Sequence, residues 1–184
     1  MKKILTIAAA AVIFVMSSAF SIQAIINWKI DAEKAQVKFS MQAHGQELIG
    51  NFKNVKGDIA FDENDLANSS VKCAVDVNSI NTGIEGRDKH LQARGFFDAA
   101  TTPQLTFTSA KIEKSKEGFI ATGNLSVKQT TKEIAIPFTF ETTKEGGLFK
   151  GSFAMKRTDY GVGNADGDIG DDITVLLEIP VTKM

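Results

Sequence analysis

ATGNLSVKQTTKEIAIPFTF, residues 121–140, decides the architecture. Ala121, Gly123, Leu125 and Val127 alternate with Thr122, Asn124, Ser126 and Lys128. After a polar stretch, Ile134, Ile136, Phe138 and Phe140 alternate again. Period two puts every apolar side chain on one face of an extended chain, whereas a helix needs apolar residues at intervals of three and four. The segment reads as two half-buried strands.

The same pattern extends in both directions. Upstream it runs through Val37, Phe39 and Met41, then Gly57, Ile59 and Phe61, then Val71, Cys73, Val75 and Val77, then Leu105 and Phe107. Downstream it runs through Phe149, Gly151, Phe153 and Met155, and closes with Ile173, Val175, Leu177, Ile179 and Val181. Short turn signals such as Lys116-Glu117-Gly118 and Glu145-Gly146-Gly147 separate strands. Between Phe52 and Val55 the apolar parity switches, which predicts a bulge or sharp bend near Lys53-Asn54. Ile84–Asp98 lacks alternation and predicts a short helix over Asp88–Arg94, ended by Gly95. No repeat or Pro-rich linker divides the chain. The expected fold is all-β: an eight-stranded antiparallel barrel with one short helix between the third and fourth strands.

Composition narrows the classes. The chain has 184 residues, and its 21 Lys and Arg balance 22 Asp and Glu, so no clustered positive charge points to nucleic acid. One cysteine, Cys73, excludes an internal disulfide framework. An outer-membrane barrel carries aromatic girdles at both interfaces. One Trp and one Tyr cannot build them, while 13 Phe suit a dry interior. The greasy face is expected to point inward.

The N-terminus reads as a leader. Met1-Lys2-Lys3 is basic, Ile4–Met16 is apolar apart from Thr6, and Ser17–Ala24 is small and polar, the order of a secretory signal peptide. Residues 1–24 are the expected signal peptide and residues 25–184 the mature domain, exported to the periplasm without a transmembrane span.

Motifs for chemistry are set aside one by one. His44 and His90 stand outside any ligand-spaced cluster, so no metal is expected. Counted from Asn164, the acidic segment up to Asp172 puts Ile169 and Val175 where a calcium loop needs Gly and Glu. Gly161-Val162-Gly163 lacks the third glycine of a dinucleotide fingerprint. No nucleophile motif is present. No catalytic residue and no cofactor are expected.

An eight-stranded barrel is either filled by its own side chains or holds one small ligand. The pattern alone leaves both open. Each buried methylene is worth about 0.8 kcal/mol, so roughly ten would contribute ~8 kcal/mol before association costs. A polar contact nets only about 0.5–1.5 kcal/mol. An open lumen would therefore favour a long hydrocarbon.

Trp28-Lys29-Ile30-Asp31, Gly50-x-Phe52 and Gly57-x-Ile59-x-Phe61-Asp62 open a longer signature. Arg87-Asp88-Lys89-His90-Leu91 follows, with Phe96-Phe97-Asp98, Pro103 and Thr106-Phe107 behind it. Gly123-Asn124-Leu125-Ser126-Val127, Thr131-Lys132-Glu133 and Asp159-Tyr160-Gly161-Val162-Gly163 complete it. This order resembles the YceI-like family of exported lipid-binding proteins, from about Trp28 to the end. Thr102 before Pro103 and Gln129 at a turn depart from its pattern. The resemblance implies a lipocalin-like barrel that holds a polyisoprenoid or other long-chain amphiphile, with possible transient membrane contact. The alternatives are a structural or stress-related barrel with a filled core, or an enzyme acting on isoprenoid quinones. The expected lumen residues are Phe39, Met41, Ile59, Phe61, Val75, Val77, Phe107, Leu125, Phe138, Phe153, Val175 and Leu177. Arg87 and His90 are candidates for a head group; the competing role for Arg87 and Asp88 is to anchor the helix.

Overall fold

Ten extended segments carry the period-two pattern in the computed structural model, which describes residues 24–164 and 167–184. The leader expected over 1–24 lies, apart from Ala24, outside the described residues. In chain order the strands are β1 (Asn27–Ile30), β2 (Gln36–Ala43), β3 (Gln46–Phe52), β4 (Lys56–Ala60), β5 (Ser70–Asp76), β6 (Gln104–Ser115), β7 (Gly118–Val127), β8 (Thr130–Thr142), β9 (Gly147–Lys156) and β10 (Asp172–Lys183). One α-helix, α1 (Glu85–Gln92), and two 3₁₀ turns (Val77–Ser79 and Thr158–Tyr160) lie between them.

The ten segments make eight staves. β1 and β2 both pair with β10, at Ile30↔Val181 and Gln36↔Glu178 respectively, so they are one stave interrupted at residues 31–35. The interruption sits beside Pro180, which has no N–H for a ladder; its carbonyl accepts Asp31 N–H instead, at 2.9 Å. β3 pairs with β2 and β4 with β1, so they form the next stave, broken at residues 53–55. Asn54 takes the bend with a φ of 59°, where the parity switch predicts it. All pairings are antiparallel, neighbour to neighbour, and β1–β10 closes the ring. The result is an eight-stranded antiparallel barrel with a single short helix between its third and fourth staves.

The helix begins three residues before its expected start and ends two residues early, at Gln92. Glu85 and Asp88 lie in its first turn, where carboxylates favour the positive end of the dipole. Ala93 is already extended. Gly95 belongs to the turn beyond, its carbonyl accepting from Gly163 N–H at 3.0 Å.

One end of the barrel is closed by rings. Phe61 is 1% exposed and meets Phe119, Phe138, Phe140 and Phe149 edge-on, with centroids 5.1–5.6 Å apart. Trp28 adds a ring against Phe140 at 5.0 Å and donates its indole N–H to Phe61 O at 2.8 Å. These contacts fix a dry floor.

Candidate ligand cavity

Above that floor the inward rows do not meet. They enclose a cavity of about 930 Å³, near the top of the ~300–1,000 Å³ range of ligand pockets. Its wall is built from every stave: Phe39 and Met41 on β2, Ile59 on β4, Val75 on β5, Phe107 on β6 and Leu125 on β7. Phe138 on β8, Phe153 on β9, and Val175 and Leu177 on β10 complete it. Gly50 makes room for one of these rings. A Cβ at position 50 would stand 2.3 Å from Phe39 Cζ, so a side chain there would push the ring aside.

Two expected lumen residues are not in the wall. Phe61 shares the parity of Ile59 but falls at the closed end, where its ring fills the floor. Val77 shares the parity of Val75, yet β5 ends at Asp76, whose carboxylate accepts Asn78 N–H and caps a 3₁₀ turn. Val77 is then fully buried inside that turn, its N–H bonded to Pro103 O at 2.9 Å.

The opposite end is polar and knitted from loops. The β2–β3 tip is bound to residues 168–170 by His44 N–H to Asp168 O and Gly170 N–H to Gln42 O, both 2.7 Å. The Lys128 ammonium donates to Gly161 O at 2.7 Å and so ties the β7–β8 turn to the 3₁₀ turn at 158–160. One seam is different. Asn51 and Asn81 exchange both backbone hydrogen bonds, so Ile49, two residues on, presents its N–H and C=O to the same free edge of β3. Among the described residues no backbone bond crosses from Gln46–Gly50 to residues 82–87. Ile49 and Ile84 flank this seam, both lining the cavity and both more than half exposed. The mouth lies there.

Arg87 and His90 both line the mouth. Arg87 is held by Thr82: its Nε donates to Thr82 Oγ1 and its Nη2 to Thr82 O, each at 2.8 Å. Asp88 accepts the Thr82 N–H at 2.8 Å and the Thr82 hydroxyl as well. The pair therefore anchors the start of α1, while the rest of the Arg87 fork borders the cavity. His90 packs against Phe96 in a tilted arrangement, with centroids 4.6 Å apart and the rings at 57°.

Sequence reading missed Arg157. It continues the inward row of Phe149, Gly151, Phe153 and Met155, and it lines the cavity although only 4% exposed. The signal was present in the parity of β9, one step past its last apolar residue. Cys73 lies in the wall too, where burial pushes its thiol up to about 12, so it is protonated and a poor nucleophile. In the acidic segment Asp171 accepts from Thr158 and Asp172 pairs with Lys156 at 3.1 Å. Among the described residues no group of His, Cys, Asp and Glu converges to hold a metal, and no helix is long and apolar enough to cross a membrane.

Known proteins share this architecture. BcnA of Burkholderia cenocepacia superposes with a TM-score of 0.77 over 83% of this chain and 99% of its own, at 24% identity. A polyisoprenoid binding domain from Saccharophagus degradans superposes with a TM-score of 0.67 over 88% of this chain and 100% of its own, at 14% identity. A UPF0312 protein of Enterobacter sp. (strain 638) is 36% identical over 138 residues, covering 73% of this chain and 70% of the relative. The YceI-like domain itself matches residues 28–181, from the floor tryptophan to the last wall strand, and the chain belongs to that family.

Proposed function

We propose that the protein is a carrier that holds a polyisoprenoid or similar long-chain amphiphile inside the barrel, in the periplasm. The observation that carries this reading is the cavity: apolar along its length, closed by phenyl rings below and ringed by polar groups above. A tail fits the lower part and a head the upper. Scale supports occupancy. Each methylene that moves from water into this volume of about 930 Å³ is worth about 0.8 kcal/mol. Such a lumen favours being filled, and a hydrocarbon fills it better than water because water finds few partners on these walls.

The binding described for the Saccharophagus degradans domain supports the same ligand class. The basic, apolar and small-polar order of residues 1–24 supports export. A barrel filled by its own side chains does not match a hollow of this size. Extraction of protein purified from its own compartment, followed by native mass spectrometry, tests the reading. A stoichiometric hydrophobe supports it. Repeated recovery of ligand-free protein that takes up neither prenyl nor acyl chains contradicts it.

A further inference from the structure

Arg157 is the charged residue at the head of an otherwise apolar inward row. Its guanidinium donates through Nε to Gly170 O at 2.8 Å, through Nη1 to Val162 O at 2.9 Å and through Nη2 to Ile169 O at 3.0 Å. Carbonyls solvate the cation without neutralising it. Among the described residues no carboxylate lies within ion-pair distance of it. Asp171 acts on it only from further away, since its own oxygens receive Thr158 and face Lys156 at 3.6 Å. A buried cation without a close counter-charge favours the arrival of an anion.

The surroundings make a patch of it. A Cβ at Gly163 would stand 2.8 Å from Arg157 Nη1 and 3.1 Å from the Phe96 ring, so cation and ring converge on one point. His90 packs against the same Phe96 ring, tilted 57° to it with centroids 4.6 Å apart. Arg87 adds the part of its fork that Thr82 leaves unengaged. Among the described residues the carboxylates on this side are the exposed Glu47 of the hairpin, which lines the cavity, and Asp168, which faces the His44 imidazole at 3.9 Å.

We propose that Arg157, Arg87 and His90 form a head-group subsite that selects an anionic, oxygen-rich head of the phosphate class on the chain held below it. This rests on the carrier reading. Charge-assisted hydrogen bonds from a fixed fork give the anionic head an advantage of about ten- to a hundredfold over a neutral one.

The test compares farnesyl phosphate with farnesol on the mature protein, by displacement of a cavity-bound fluorescent dye. The phosphate is expected to bind at least about tenfold tighter, with an advantage that shrinks as salt rises. Arg87→Gln and Arg157→Gln are each expected to bring the ratio of phosphate to farnesol affinity, taken within the same variant, down toward one. Should Arg157→Gln fail to fold, the wild-type comparison and Arg87→Gln still decide. Equal or weaker binding of the phosphate overturns the subsite and leaves the carrier reading standing. If neither compound displaces the dye, the carrier reading and the subsite fall together. Inorganic phosphate alone is expected to displace nothing; displacement by it would make this a free-anion site and overturn the head-group assignment.

Discussion

Phe61 and Phe153 have the same side chain and the same inward parity, but one is floor and the other wall. Phe61→Ala removes a ring packed on every side and should cost about 3–5 kcal/mol in chemical denaturation. Phe153→Ala only widens a hollow that already exists, and should cost well under half of that. Equal losses would mean that the lumen is packed around Phe153. Gly50→Val should drive the Phe39 ring into the lumen and weaken uptake of long chains at least about tenfold, with little change in fold, measured by dye displacement. Cys73 reports the same wall from its chemistry. With its thiol pushed up to about 12, its alkylation by iodoacetamide should keep rising with pH through 11, where an exposed thiol levels off near 9. A plateau near 9 would place the thiol in water. Residue parity made most of these wall positions legible. It failed at Phe61 and Val77 because alternation says which face a side chain takes, not whether the staves have converged or the strand has ended at that height.

Elements were legible where polarity alternates and obscure where a side chain overrides the local pattern. The bend at residues 53–55 was visible because the apolar set changes face. The short β1 was marked only by Trp28 and Ile30, too few residues to show a period. The helix was placed late because the Thr82–Asp88 contact that starts it is not a pattern in the sequence. Asp88→Ala should therefore free Thr82, lose helix order and destabilise the protein by about 1–3 kcal/mol, followed by thermal unfolding and by amide exchange across α1. At the start of β10, Thr158 donates from both its N–H and its hydroxyl to Asp171 and holds that carboxyl below its usual range. A depressed pKa in the folded state means stability that is present above the unfolded value of 3.8 and lost as pH falls through the folded one. Asp171→Asn should lower the melting temperature at pH 7, and the gap from wild type should close as the pH drops below 4. A gap independent of pH would show that charge at Asp171 plays no part.

At the scale of the molecule, the closing β1–β10 pairing leaves, among the described residues, only the edge of β3 at the mouth unpaired, while one cluster of phenyl rings plugs one end and polar loops border the other. That polarity along the barrel axis is what makes it a container with a direction. Fold class and stave number follow from period two alone, while the hollow does not: thirteen phenylalanines are compatible with a full core or an open one. Only the crowding of Phe61, Phe119, Phe140 and their neighbours at a single end frees the rest of the lumen. The most direct test is a crystal of the protein grown with a long-chain alcohol carrying bromine on its terminal carbon. Anomalous scattering should place the bromine deep in the barrel, against Phe138 and Phe149, with the hydroxyl at the mouth. Bromine found only outside the barrel, with the lumen closed around itself, would contradict the account.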